Sequence, residues 1–310
     1  MRLGLDIMGG DFAPLEALRG SVNALRHIPG IDVVLYGDKS VVEPLAKAEG
    51  IDLSAFEFVH CPEVISMGEH PTKALTQKRE SSIAVGFQQL KEKKIDAFIG
   101  AGNTGAMMVG AMFSVKVVEG VFRPAISSIL PKNTGGIGLL LDVGANADCK
   151  PDVLYQFAIL GSLYCKNVYK IDNPRVGLLN IGEEKEKGNL VTQAAHNLMA
   201  ETTEFNFIGN VEGRDLFIDK VDVVVCDGFT GNIVLKACES MYYLLKKREI
   251  EDEFLDQFNY EPHGGSPILG INAPVIIGHG ISKAVSFENM IRLAKETVES
   301  GLIGKIKSSF

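Results

Sequence analysis

The stretch "IDAFIGAGNTGAMMVG", residues 95–110, decides the fold prediction because three local patterns follow one another in it. The apolar run 95–99 is typical of a buried strand, a glycine-rich loop follows it, and an apolar helix-forming run begins at residue 106. Strand, glycine loop and helix in this order commonly bind a phosphate group. The loop has neither the GxGxxG fingerprint nor the lysine of a P-loop, and it carries Asn103 and Thr104 instead. The pattern therefore indicates a phosphate site of another kind.

Short apolar runs alternate with helical patterns along most of the chain. The predicted strands are 2–6, 32–36, 56–60, 95–99, 125–130, 138–141, 175–179, 205–208 and 221–226. The predicted helices are 14–27, 41–49, 73–93, 104–117, 152–166, 190–202, 231–247 and 282–300. This alternation predicts an α/β fold, with a mostly parallel sheet inside an α/β/α sandwich. We expect residues 1–310 to form one two-lobed catalytic unit whose cleft is lined by strand-end loops.

Composition excludes several classes of protein. The 310 residues include 31 Lys and Arg against 39 Asp and Glu, a net charge of −8, whereas a nucleic-acid-binding protein usually has a basic face. The five cysteines are scattered and form no CxxC pair, which argues against a zinc ribbon or a disulfide framework. The sequence therefore predicts a cytoplasmic protein that does not bind nucleic acid.

Four glycine-containing loops follow predicted strands, and they carry most of the polar residues of interest. They are "DIMGGDFAP" (6–14), "GAGNTGA" (100–106), "LDVGANADCKP" (141–151) and "CDGFTGNIVLK" (226–236). Any one of them could be only a tight turn that uses Gly and Asn for positive φ. Several such loops at strand ends together favour an anion-binding nest of backbone amides, amide side chains and helix N-termini.

Three further residues lie near these loops, and each has an ordinary alternative. Arg123 precedes a predicted strand and its guanidinium suits two phosphate oxygens, although a plain ion pair fits as well. Lys236 lies about one turn into the helix after the fourth loop, where a solvated lysine is the alternative. His279 lies between glycines in "IIGHGIS" (276–282), where a structural histidine is the alternative.

The sequence contains no motif for a covalent nucleophile or a catalytic metal. The GxSxG elbow and the HExxH zinc motif are absent, and the cysteines lie outside any recognisable nucleophile motif. We therefore predict that the protein uses neither a metal nor a cofactor.

A series of longer motifs runs in order through nearly the whole chain. They are "DIMGGDFAP", "PTKALTQKRESSI", "GAGNTGA", "RPAISSILP", "LDVGAN", "NPRVGLLNIGEEKEKGN", "FNFIGNVEGRD", "VDVVVCDGFTGNIVLK", "GGSPILG" and "IGHGIS". In this order the motifs resemble those of the bacterial phosphate acyltransferases that take the acyl group from acyl carrier protein. The resemblance implies a fold similar to that of isocitrate and isopropylmalate dehydrogenases and of phosphotransacetylase, usually as a homodimer.

The resemblance also implies a reaction and its partners. A fatty acyl group passes from the thioester of acyl carrier protein to inorganic phosphate, which gives acyl phosphate and free holo-acyl carrier protein at the start of phospholipid synthesis. Further implied partners are the inner face of the membrane, contacted peripherally, and a downstream glycerol-3-phosphate acyltransferase. The largest departure from the family is the segment 237–263, where many members carry a long helical hairpin with an apolar tip.

The implied chemistry assigns expected roles to the loop residues. Phosphate is largely dianionic at neutral pH and a thiol with a pKa of about 8.5 leaves readily, so phosphate itself serves as the nucleophile. The expected phosphate-binding residues are Gly102, Asn103, Thr104, Arg123, Asn146, Asn232 and Lys236. The expected catalytic residues are Asn103, Arg123, Asp142, Asp227 and His279. Among these, the two aspartates orient the others and His279 assists the oxyanion or the leaving sulfur.

Two other functions stay open on the sequence alone. A nicotinamide-dependent decarboxylating dehydrogenase can use a similar fold, but it needs an aspartate cluster for a divalent metal and an adenosine-binding loop. A non-catalytic scaffold that senses phosphate or lipid is the second alternative, and the many polar strand-end loops speak against it.

Overall fold

The computed structural model describes residues 1–259 and 261–310, and the chain divides into two compact units. The first unit comprises Met1–Val117 and the described residues 261–299. The second comprises Val118–Asn259 and Ser300–Phe310. Both units therefore contain segments that are distant in the sequence.

Within the described ranges the chain forms eleven β-strands and eleven α-helices. The strands are β1 (Arg2–Asp6), β2 (Asp32–Gly37), β3 (Glu57–His60), β4 (Ala97–Gly100), β5 (Ala125–Pro131), β6 (Ile137–Leu141), β7 (Arg175–Leu179), β8 (Asn206–Val211), β9 (Val223–Val225), β10 (Ser266–Leu269) and β11 (Val275–Ile277). The helices are α1 (Leu15–His27), α2 (Lys39–Ala48), α3 (Pro71–Gln77), α4 (Ser82–Lys91), α5 (Thr104–Gly110), α6 (Pro151–Asn167), α7 (Leu190–Ala200), α8 (Gly228–Lys247), α9 (Glu253–Asp256), α10 (Ala284–Glu299) and α11 (Leu302–Ser309).

The sheet of the first unit has the strand order β3-β2-β1-β4-β11-β10. Its neighbouring strands are parallel, apart from the antiparallel pair β10 and β11. Leu3 and Leu5 belong to a core that includes side chains of α1 and α10. Phe98 alternates with the core residues of β4, and its ring contacts those of Tyr36 and Phe87, the latter a residue of α4. Helices therefore cover both faces of this sheet.

The sheet of the second unit has the strand order β5-β6-β9-β7-β8. The pair β5 and β6 is antiparallel, and the other neighbouring pairs are parallel. Helix α6 packs closely on this sheet, because a Cβ atom at Gly161 would lie only 2.5 Å from a methyl group of Val223. Since β6, β9 and β7 are parallel, their carboxyl ends lie at one edge, which is where open α/β sheets bind ligands.

These elements confirm the predicted α/β class with a mostly parallel sheet. The predicted helix 73–93 is wrong as a single element, because α3 ends at Gln77 and α4 begins at Ser82. Between them Lys78 donates through Nζ to the carbonyl of Val64 at 2.7 Å, and Ser81 caps α4 by accepting from the N–H of Ala84. The strands β10 and β11 and the helices α9 and α11 were not predicted.

Candidate active site

Asp142 organises the loop that follows β6 in the second unit. The residue is fully buried, and its carboxylate accepts hydrogen bonds from the backbone N–H groups of Ile126 (3.0 Å), Ala145 (3.1 Å) and Asn146 (2.6 Å). The side-chain amide of Asn146 donates to the same carboxylate at 2.9 Å. Burial raises the pKa of the Asp142 carboxyl above its usual value, and these donors oppose the shift. The loop is therefore wrapped around one buried acid.

The start of α8 is joined to that loop. Asp227 caps the helix, because its carboxylate accepts from the N–H of Thr230 at 2.8 Å and from the Thr230 hydroxyl at 2.9 Å. The N–H of Gly228 donates to the carbonyl of Asn146 at 2.7 Å, and the Asn232 amide donates to the carbonyl of Val143 at 3.0 Å. Four predicted site residues, Asp142, Asn146, Asp227 and Asn232, thus lie in one hydrogen-bonded cluster.

A cavity of about 700 Å³ opens beside this cluster. Four segments and Leu154 of α6 line it. The segments are residues 147–149, the end of β7 with the loop after it (178–181), residues 188, 189, 191 and 192 around the start of α7, and residues 226, 227, 229 and 230 around the start of α8. Each of these segments follows a strand or begins a helix at the carboxyl edge of the parallel strands. The cavity therefore lies where the fold predicts a ligand.

Two cysteines, Cys149 and Cys226, line the cavity, and burial raises the pKa of both thiols. Burial raises the pKa of Cys149 to about 12, and nearby Asp142 adds to the shift. The thiol of Cys226 is almost completely enclosed, and burial raises its pKa well above the usual value. Because the thiolate is the nucleophilic form, the raised pKa values disfavour both cysteines as nucleophiles at neutral pH.

The two predicted basic ligands of the second unit are both exposed. Arg123 donates from Nη1 to the carbonyl of Asp148 at 3.2 Å, and Asp148 lines the cavity. Lys236 forms an ion pair with Glu239 at 2.8 Å on the surface of α8. Arg123 is thus anchored at a cavity-lining residue, and the phosphate contacts of both residues stay predictions.

Asn103 of the first unit uses its whole side-chain amide within the protein. Its Oδ1 accepts from the N–H of Ala106 at 2.9 Å and so caps α5. Its Nδ2 donates to the carbonyls of Ser66 (3.0 Å), Met67 (3.1 Å) and Glu69 (3.0 Å), and only 5% of the residue is exposed. Asn103 therefore holds two loops together, and a direct contact of its side chain with phosphate stays a prediction.

The other predicted residues of the first unit lie on loops that meet at one edge of its sheet. Gly102 is buried, and a Cβ atom at Gly9, in the loop after β1, would lie 2.5 Å from the N atom of Gly102. Thr104 is exposed at the start of α5. The half-buried His279 lies on the loop after β11, whose Gly278 N–H donates to the carbonyl of Gly100 at 2.9 Å.

Several cavity residues were not predicted from the sequence. Asn180 and Asn189 flank the charged segment after β7, and Thr192 follows at the start of α7. Asn189 caps α7 by accepting from the N–H of Thr192 at 2.9 Å. The available signal was the pairing of glycine with asparagine in "EKGN", which repeats the pattern of the other strand-end loops.

Solved structures with a similar fold include two enzymes whose names describe the transfer of an acyl group. The EutD phosphotransacetylase from Staphylococcus aureus superposes with a TM-score of 0.66 at 16% identity, over 96% of this chain and 94% of the other. A branched-chain phosphotransacylase from Enterococcus faecalis has the same TM-score at 14% identity, over 96% and 99%. The 4-hydroxythreonine-4-phosphate dehydrogenase from Klebsiella pneumoniae superposes with a TM-score of 0.58 at 13% identity, over 96% of this chain and 99% of the other. These likenesses show the fold.

Curated relatives found by sequence have a much higher identity to this chain than these solved structures. The phosphate acyltransferase of Desulforamulus reducens is 42% identical over an alignment of 328 positions, which covers 100% of this chain and 97% of the relative. That of Halothermothrix orenii is also 42% identical, over 99% of this chain and 98% of the relative. The family model described as fatty acid synthesis protein matches residues 1–305. The chain therefore belongs to the fatty acid synthesis protein family, and the activity class it shares with these relatives is that of an acyltransferase.

Proposed function

We propose that this protein transfers a fatty acyl group from the thioester of acyl carrier protein to inorganic phosphate, releasing acyl phosphate and free holo-acyl carrier protein. The observation that carries the proposal is the identity of about 42%, over the full length of the chain, with relatives named phosphate acyltransferase. The hydrogen-bonded loops beside a strand-end cavity in the second unit supply a suitable place for such a reaction. A nicotinamide-dependent dehydrogenase on a similar fold is the less supported alternative.

The reaction needs no covalent enzyme intermediate. A phosphate oxygen forms a bond to the thioester carbonyl carbon, the carbon–sulfur bond breaks, and the sulfur leaves as a thiolate that takes a proton from water. The raised thiol pKa values of Cys149 and Cys226 disfavour their use as nucleophiles. The protein then acts mainly by positioning the phosphate and stabilising the oxyanion.

Arg123 is the residue in the second unit best suited to hold phosphate. Its guanidinium is exposed, and its bond to the Asp148 carbonyl keeps it beside the cavity. The positioning roles fall to Asp142, Asn146 and Asp227. The Asn146 amide donates to the Asp142 carboxylate, and Asp227 caps α8, whose Gly228 N–H donates to the carbonyl of Asn146. Thr104 and His279 of the first unit, one exposed and one half-buried, stay candidates for contact with substrate.

A homodimer is a further part of the proposal. Ile233, Met241 and Leu244 are exposed on α8 and lie on one face of the helix, since they are eight and three residues apart. A second copy of this chain covering that face would remove these side chains from water. Sedimentation of the wild type should give a dimer, and Met241→Glu should shift it to monomer. A wild-type monomer would contradict the proposal.

The location and the remaining partners rest on the resemblance. None of the helices in residues 1–259 and 261–310 is long and apolar enough to cross a membrane. The cytoplasmic location, the peripheral contact with the membrane and the association with a glycerol-3-phosphate acyltransferase stay predictions.

The test is the release of thiol from acyl-acyl carrier protein with and without phosphate. Thiol and a hydroxylamine-sensitive acyl phosphate should appear together and only with phosphate. Arg123→Ala should raise the KM for phosphate by about tenfold or more, which corresponds to a lost hydrogen bond to a charged group, and Arg123→Lys should restore it poorly. Arg214→Ala, at an exposed ion pair with Glu212, is the matched control. Thiol release at the same rate with and without phosphate would overturn the proposed function.

A further inference from the structure

The inner wall of the cavity in the second unit is mostly apolar. Leu154 and Leu178 are buried there, and Leu179 and Val191 complete the wall. These four side chains come from three elements, α6, β7 and α7. A cavity of about 700 Å³ with such walls is large enough for a small-molecule ligand.

Large apolar side chains are also exposed around the same cavity. Ile181 and Phe229 line it and are 81% and 64% exposed. Leu190, between the lining residues Asn189 and Val191, is 85% exposed. Single exposed apolar residues are common on protein surfaces, but these come from three separate segments and gather at one cavity. Their arrangement indicates an apolar ligand that enters past them.

Four polar side chains of the lining, those of Asn180, Asn189, Thr192 and Asp227, already form hydrogen bonds within the protein. Asn189 caps α7, and Asp227 caps α8 and accepts from the Thr230 hydroxyl. Asn180 donates to the carbonyl of Lys187 at 3.1 Å, and the Thr192 hydroxyl donates to the carbonyl of Asn189 at 3.0 Å. A sugar or nucleotide would need these groups for recognition, whereas a hydrocarbon chain needs only the apolar wall.

We propose that this cavity binds the hydrocarbon chain of the acyl group and so sets the chain-length preference of the enzyme. The proposal rests on the proposed acyl transfer, and it places the chain between β7, α6, α7 and the start of α8. Each methylene group buried there contributes about fourfold in affinity. Longer chains should therefore gain in kcat/KM until the cavity is full.

Val191→Phe tests the proposal because it adds volume at the wall near the start of α7. Leu198→Phe is the matched control, since Leu198 lies on the same helix, is exposed and does not line this cavity. We expect Val191→Phe to lower kcat/KM for hexadecanoyl-acyl carrier protein by about tenfold or more relative to octanoyl-acyl carrier protein, which is the loss of two methylene contacts. Leu198→Phe should keep the wild-type ratio. Equal losses for both chain lengths in Val191→Phe would overturn the proposal.

A second variant and a binding measurement keep the result decisive if Val191→Phe folds poorly. Ile181→Ser changes an exposed residue, and it should reduce kcat/KM for the long chain while leaving the short chain near wild type. Fluorescence titration with cis-parinaric acid measures binding of a hydrocarbon chain without any acyl transfer. The wild type should bind the probe and Ile181→Ser should bind it several-fold more weakly. Wild-type-like binding in that variant would refute the cavity assignment, while missing phosphate dependence of thiol release would refute only the reaction.

Discussion

Replacing Gly231 by alanine tests whether the contact between α8 and the loop after β6 builds the site. A Cβ atom at this position would lie 1.9 Å from the carbonyl oxygen of Asp142 and 3.0 Å from the sulfur of Cys226. The oxygen belongs to the backbone and cannot rotate away, so the start of α8 must move by about 1.5 Å to reach ordinary contact near 3.4 Å. That movement would break the bonds Gly228 N–H to Asn146 and Asn232 to Val143.

The expected loss of stability follows from these contacts. Overpacking costs about 1–3 kcal/mol, the two hydrogen bonds contribute about 1 kcal/mol each, and alanine gains up to about 1 kcal/mol over glycine within a helix. Gly231→Ala should therefore lower the free energy of unfolding by about 2–5 kcal/mol. It should also reduce acyl phosphate formation, because the cluster around Asp142 is displaced.

The control is Gly304→Ala in α11, where an added Cβ would meet nothing within 4 Å. This variant should be more stable than the wild type by about 0.5–1 kcal/mol, with unchanged activity. Urea unfolding followed by circular dichroism and the phosphate-dependent release of thiol measure both effects. If Gly231→Ala is as stable and as active as Gly304→Ala, the close packing of α8 on the loop is refuted.

Three further predictions concern single side chains. Asn103→Ala removes a helix cap and the donor for three carbonyls, so the thermal midpoint should fall by about 4 °C or more, and an unchanged midpoint contradicts this. Burial would raise the pKa of Asp222, but hydrogen bonds from Arg175 and Lys132 hold this pKa below its usual value. The contribution of Asp222 to stability is therefore complete above about pH 5, and it is lost as the pH falls from there through the lower folded pKa. The free energy of unfolding of Asp222→Asn at pH 7 should therefore be about 3 kcal/mol lower than that of the wild type. In urea titrations this free energy should change less with acid pH than in the wild type. A variant as stable as the wild type at pH 7 would refute the pairing. Cys149→Ser should keep wild-type kcat/KM, and label from acyl-acyl carrier protein on this cysteine after acid quenching would refute direct attack by phosphate.

The sequence predicts an element well where local pattern and tertiary packing agree. Strands β1 and β7 have the predicted bounds, because each is a short apolar run that starts at an arginine. Helix α8 starts three residues earlier than predicted, since the cap by Asp227 outweighs the low helix propensity of Gly228. Strands β10 and β11, four and three residues long, were missed, although the equally short β9 lies within a predicted strand. Their formation depends on pairing with each other and of β11 with β4, which is far away in the sequence.

The strand-end asparagines show why the position of the polar loops was easier to predict than the role of each residue. The composition of the loops identified the edge of the sheet, because Gly and Asn are needed wherever the chain turns sharply beside a ligand. The same residue types also bind the backbone, and Asn103, Asn146 and Asn232 all donate to carbonyl groups. An amide that is occupied in this way supports the site without having to touch the phosphate. Substitution of these asparagines should therefore act first on stability, whereas substitution of the exposed Arg123 should act on the KM for phosphate with little change in the unfolding midpoint. An asparagine variant that raises this KM with its stability intact would reassign the residue to direct binding.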